Sequence, residues 1–437
     1  MKAHRIGTSL NQYSVGSLAS FSTLTIVHLG LLNVGIIAIN QLFFDVDLLN
    51  PKLKMDAGWY WNIAQNGYSY TPGKQSSVAF YPLFPMIWRW TGFGYWGIIL
   101  VNISLLLSSL YVIAVEYRVK GAELLILLAV PSLIFSFVPY SESVFFLGAT
   151  LLLLGFKKDM ILLIILGTVI SCFARSASAI LILCFLFTYL ICENDIRWRR
   201  VRLYVAAITM AIVSSVIVRW LQAYEVGTDF SMFEVQSQWN RHLSLPTLPI
   251  TTTSQKLLVW NDLLALFIGL VCGTLILNYV YSQFKKRLLP QATDWIISLL
   301  YIAGITAVTL LFSGTYGQRG TSVHSLNRFV FATPFYTIFL IELLQRLVIT
   351  KRVLITSCLL FFALYLSFVL GSVGKYATLS FQVASLGYFG LMAIVPSLYL
   401  FAIWRKNSRW AWAWVYVISL ILQSCLYCAH LYGLRVG

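Results

Sequence analysis

Apolar runs of roughly 20 residues, long enough to cross a bilayer, recur along the chain with polar connections between them. By hydropathy they fall at about Phe21 to Phe44, Tyr95 to Tyr117, Glu123 to Val138, Ser143 to Phe156, Met160 to Phe173, Ala177 to Ile191 and Leu203 to Leu221. Six more follow at about Trp260 to Tyr281, Trp295 to Phe312, Phe329 to Leu344, Val353 to Leu370, Leu386 to Trp404 and Trp410 to Leu431. None shows the strict alternation of barrel strands, so their backbone groups must pair within helices. The pattern predicts an all-α polytopic membrane protein of about 13 transmembrane helices. It is read as one membrane domain over residues 1–437.

The stretch Met55 to Pro85 breaks this rhythm, being too polar to span and rich in aromatics, Gly and Pro. Within it, Trp59 to Asn66 and Phe80 to Trp90 are expected to form short interfacial helices, since Trp and Tyr favour the headgroup level. Lys and Arg cluster in alternate connections, at Arg118/Lys120, Lys157/Lys158, Arg197/Arg199/Arg200/Arg202, Lys285/Lys286/Arg287 and Arg405/Lys406/Arg409. Those connections are therefore cytoplasmic, and the loops at about 45–94, 222–259 and 313–328 lie on the other face.

Composition removes other classes. With 59% hydrophobic and 11% charged residues the chain is not a soluble globular protein. Its net charge of +16 is topological, so no nucleic acid partner is expected. The seven cysteines lie in or beside apolar segments and form no disulfide framework. The first apolar run is too long for a cleavable signal and reads as an anchor.

Acids beside a membrane are costly, and Asp56 stands out among them, before Ala57-Gly58-Trp59 in an aromatic setting that can exclude water. Taken alone, it is more simply a helix N-cap. The surrounding order alters that reading. Asp56-x-x-Trp-Tyr, Ile63-Ala64-x-x-Gly67-Tyr68 and Ala79-Phe80-Tyr81-Pro82-Leu83-Phe84-Pro85 resemble the first-loop signature of the PIG-V family, second mannosyltransferases of GPI anchor synthesis and their prokaryotic relatives. Pro139 to Phe146, Ala174-Arg175-Ser176, Gln238-Trp239-Asn240 and Asn327-Arg328-Phe329 resemble later family segments in the same order. Departures include Met55 where the family has Trp, Ala177 after Arg-Ser, and Arg241-His242 after Asn240.

The resemblance implies a GT-C-type fold, from the glycosyltransferase C superfamily, with interfacial helices and a catalytic acid in the first outer loop. It also implies transfer of mannose or a related hexose from polyprenyl-phosphate mannose or a similar lipid-linked sugar to a lipid or glycan acceptor, with inversion. Such a reaction needs a base, positive charge for the departing phosphate and a lipid groove. Asp56 is the candidate base. Arg328, with His324 or Arg319, is the candidate phosphate partner, and Arg175 a second; for each Arg the competing reading is snorkelling or pairing with an acid.

Glu142 is either a partner for Arg175 or a contact to sugar or acceptor. Trp59, Tyr60, Tyr81, Trp239 and Asn240 are candidates to line the sugar or acceptor site, although interfacial aromatics are commonly anchors. No metal-ligand spacing is present, and no metal or other cofactor is expected. A transporter or flippase for a lipid-linked sugar is the competing class, and a protein O-glycosyltransferase a related one. The expected location is the plasma membrane of a bacterium or the endoplasmic reticulum of a eukaryote, with the site facing away from the cytoplasm.

Overall fold

The computed structural model describes residues 17–192, 198–239, 241–247, 250–251, 259–285, 292–313, 321–372, 390, 394–405 and 408–434. Its first half runs α1 (Leu18–Ile39), α2 (Asp56–Asn66), α3 (Leu83–Thr91), α4 (Tyr95–Glu116), α5 (Gly121–Leu128), α6 (Glu142–Lys158), α7 (Ile161–Ala174) and α8 (Ser178–Cys192). Then come α9 (Trp198–Val226), α10 (Met232–Gln238), α11 (Val259–Phe284), α12 (Thr293–Leu311), α13 (Leu326–Phe331), α14 (Pro334–Arg346) and α15 (Lys351–Ser372). The chain ends with α16 (Ile394–Trp404) and α17 (Arg409–Tyr432). Extended pairing among the described residues is confined to two-residue contacts, His242–Leu243 with Phe312–Ser313 and Ile250–Thr251 with Thr321–Ser322.

Among the described residues, six helices are long and apolar enough to cross a membrane: Leu18–Phe44, Tyr95–Glu116, Arg200–Val226, Asn261–Gln283, Thr293–Leu311 and Arg409–Tyr432. The chain is an integral multi-pass membrane protein. Two of the expected spans are not continuous helices. The run Glu123 to Val138 is a short α5 followed by a 3₁₀ turn at Pro131–Ser136, because Pro131 cannot donate its backbone hydrogen bond. The run Phe329 to Leu344 is divided into α13 and α14. Pro334 starts α14, and the Thr333 side chain caps it by accepting from Tyr336 N.

The expected helices in the first long loop are present as α2 and α3. Arg89 of α3 donates to the carbonyls of Ala64 and Ile63, satisfying the open end of α2. Gln222 of α9 donates to the carbonyls of Val78 and Phe80, and Glu225 accepts from Tyr68 N. The loop between α2 and α3 is thereby fixed to α9.

α6 and α7 pack tightly as an antiparallel pair. A Cβ added to Gly167 would lie 2.3 Å from Leu152 N, and one on Gly148 2.8 Å from Ser171 N, so the two backbones approach at a distance only glycine permits. This seam places the start of α6 beside the end of α7.

Candidate active site

The start of α6 carries Glu142, and Arg175 follows directly on α7. Arg175 Nη1 donates to Glu142 Oε1 at 2.7 Å. The same oxygen accepts from Nε of Arg328, which α13 delivers from the far side. Glu142 is fully buried, but the positive end of α6 and two guanidiniums compensate its charge.

Arg328 Nη1 then reaches Asp56 Oδ2 at 2.5 Å. Asp56 opens α2, yet the N-cap is Met55, and no side-chain cap bond is formed there. The capping reading of Asp56 is thus corrected: its carboxylate is committed to Arg328. Burial works against the charge of Arg328, but Glu142 and Asp56 outweigh it and hold the guanidinium protonated above its usual range. The guanidinium carbon also lies 4.4 Å from the ring centre of Tyr140 and 5.5 Å from that of Phe135.

Arg328 is held from behind by a buried polar lattice. Asn327 donates its backbone N–H and its side-chain amide to Asp262 Oδ1, at 2.9 and 2.7 Å. Ser132 bonds to Asn327 Oδ1 at 3.1 Å and accepts from Asn261 at 3.0 Å. The serine preceding this helix, Ser325, takes a left-handed φ of 68°, which turns the chain sharply into α13.

A cavity of about 390 Å³ lies against this cluster. Of the expected site residues, Asp56, Arg175, His324 and Arg328 line it, and so do the aromatics Trp59, Tyr60, Tyr81 and Trp239. Glu142 sits behind the wall, touching both arginines. Arg319 and Asn240 lie outside the described residues.

The aromatics form a wall. Trp59 and Phe80 stack with centroids 5.8 Å apart, and Trp239 meets both edge-on at 5.3 and 5.5 Å. Tyr60 bonds to Ser141 Oγ at 2.8 Å, and burial, then the charge of Glu142, pushes its hydroxyl above the ordinary phenol range. Burial pushes Tyr81 up to about 12. The Trp239 indole N–H is buried and finds no partner among the described residues.

Arg241 also lines the cavity and was missed in the sequence. The signal was available: it follows Trp239-Asn240 directly, where it counted only as a departure from a family pattern. Gln75, Gln236, Ser176 and Ser322 add further polar lining that no motif marks. Among the described residues no group of three or more His, Cys, Asp or Glu could hold a metal ion.

The fold is of the GT-C type. Among solved structures, the chain is similar to ArnT from Cupriavidus metallidurans, whose crystal structure was determined bound to undecaprenyl phosphate, with a TM-score of 0.54 and 14% sequence identity. The match covers 96% of this chain and 78% of ArnT. No family profile and no curated protein matches the chain.

Proposed function

We propose that the protein is a membrane glycosyltransferase that moves mannose or a related hexose from a polyprenyl-phosphate sugar to a lipid or glycan acceptor. The observation that carries this reading is the cavity: one carboxylate, Asp56, set among Arg175, Arg241, His324 and Arg328 and facing an aromatic wall. The GT-C-type fold supports it, as does the undecaprenyl phosphate bound by ArnT. The resemblance of the first-loop motifs to those of PIG-V-like mannosyltransferases favours mannose.

In the proposed reaction Asp56 takes the proton of the acceptor hydroxyl. The oxygen attacks the anomeric carbon from the face opposite the phosphate, the carbon–phosphate oxygen bond breaks, and polyprenyl phosphate leaves with one more negative charge. The arginines and His324 stabilise that growing charge, and guanidinium geometry suits phosphate oxygens. Trp59 and Trp239 offer flat faces to a sugar ring. Neither a nucleotide nor a metal enters this scheme, and the site is assigned to the non-cytoplasmic face.

The test is transfer by purified protein in detergent, using radiolabelled polyprenyl-phosphate mannose and a lipid extract of the host. Wild type is expected to label a new product, and Asp56→Asn to lose at least about 100-fold in rate while still binding donor. Equal transfer by both proteins removes Asp56 as base. Donor movement across vesicles without any product makes the protein a lipid-sugar transporter instead.

A further inference from the structure

A base in direct contact with an arginine is normally a poor one, since a neighbouring guanidinium favours the ionised carboxylate. Here Asp56 touches Arg328, and Arg175 lines the same cavity. What tempers this is the oxygen behind them. Glu142 Oε1 accepts from both guanidiniums at once, so two carboxylates and two guanidiniums form a neutral chain, Asp56–Arg328–Glu142–Arg175.

We infer that Glu142 is a positioning residue that draws off the positive charge of Arg328 and Arg175 and so keeps Asp56 a competent base. This rests on the glycosyltransferase reading for its catalytic meaning, though not for its electrostatics. Three observations carry it. Glu142 is inaccessible, at 0% exposure, so it acts only through its neighbours. Its partners are the two arginines of the cavity wall, and its second oxygen, Oε2, has no hydrogen-bond partner among the described residues, so its charge is not spent elsewhere. The glycine seam of α6 and α7 fixes it, as Gly148 and Gly167 leave no room for the helices to slide.

Other groups face the cluster and set the background. These include Tyr60 on α2, Tyr140 before α6, Tyr301 on α12, Lys54 before α2 and His430 on α17, with Arg241 and His324 across the cavity. Glu142 is the group whose one oxygen accepts from both arginines. The variants below leave these background groups in place, so their charges enter each comparison equally.

The sign of each change follows from charge alone. Removing the Glu142 charge leaves two arginines beside Asp56 with less compensation, so Asp56 ionises at lower pH and becomes a weaker base. Removing the Arg175 charge gives Glu142 wholly to Arg328, so Asp56 ionises at higher pH.

The experiment is an infrared difference titration of the Asp56 carboxylate in detergent-solubilised full chain, with the band assigned by its loss in Asp56→Asn. Glu142→Gln is expected to move the midpoint down, and Arg175→Gln up, each by about one pH unit. The double variant should return close to wild type. In transfer assays Glu142→Gln should lower kcat by about tenfold and move its acid limb down, with donor KM no higher than in wild type.

If Glu142→Gln does not fold alone, the double variant, which removes the buried charge pair together, decides: loss of any nearby cation raises the midpoint in Arg175→Gln, and the Glu142 charge is shown to act if the double variant lies below Arg175→Gln. An unmoved midpoint in either folded variant overturns the inference, whatever the activity. Midpoints that move as stated while wild type transfers no sugar would leave charge sharing standing and overturn the glycosyltransferase reading instead.

Discussion

Asp56 and Arg328, 272 positions apart in the sequence, meet at 2.5 Å where α2 faces α13. The contact closes the site: α2 belongs to a loop that α9 and α3 hold down, while α13 is a six-residue helix fixed from behind by Asn327. Each partner therefore reports on the support of the other.

Arg328→Gln leaves Glu142 buried with Arg175 as its remaining arginine. Losing one partner of a buried ion pair costs about 3–5 kcal/mol, so a marked fall in thermal stability is expected along with lost activity. Arg328→Lys should recover part of the stability, because the charge returns, but little activity, because one ammonium lacks the planar fork that spans Asp56 and Glu142. Thermal unfolding of the three proteins in one detergent checks this; equal midpoints for Arg328→Gln and wild type would contradict the ion-pair account.

Asn327→Ala should lower activity without touching the cavity wall. It removes one of the two bonds to Asp262 and the bond from Ser132, at a cost of about 1–3 kcal/mol, and frees Arg328 to shift. The expected signature is a fall in kcat larger than any change in donor binding. Full activity would show that Arg328 needs no support from this lattice.

Gly167→Ala tests the seam. Its Cβ would lie 2.3 Å from Leu152 N, so α6 and α7 must part, and overpacking of this kind costs about 1–3 kcal/mol. Activity should fall although no residue of the site has changed. Gly58→Ala, on α2 with no atom within 4 Å of the added Cβ, serves as the comparison for a glycine outside the seam.

Tyr81→Phe addresses pH. Burial pushes the Tyr81 hydroxyl up to about 12, so it stays protonated through the neutral range and serves only as a donor or a neutral acceptor. Its loss should lower transfer by the same factor at every pH between about 6 and 9, leaving the shape of the profile unaltered. A profile whose alkaline limb vanishes in Tyr81→Phe would show that this hydroxyl titrates in the working range.

The long apolar runs made the spanning helices legible, and α1, α4, α9, α11, α12 and α17 fall where hydropathy places them. The two broken spans were misread because a hydropathy window weighs Pro131 and Pro334 only as two moderately polar residues, whereas the backbone meets them as stops. Pairing of Glu142 with Arg175 could be anticipated, as both sit at short turns between neighbouring apolar runs. The bond from Asp56 to Arg328 could not, since nothing in local spacing tells which distant turn α2 will face. Arg241 was overlooked because it stands among residues compared with a motif and not weighed for charge.

The shortness of α7 sets a level as well as a contact. Its 14 residues rise only about 21 Å, against roughly 30 Å for a hydrocarbon core, and α8 with 15 residues is little longer. A bilayer crossed by helices this short thins beside them or is roofed by the neighbouring loops. Arg175 follows directly on the shorter of these two helices. Under the proposed function, a thinned or roofed bilayer beside them lets a lipid-borne phosphate reach Arg175 at the cavity while its isoprenoid tail stays in hydrocarbon, so that docking the donor requires no apolar chain to be drawn into water.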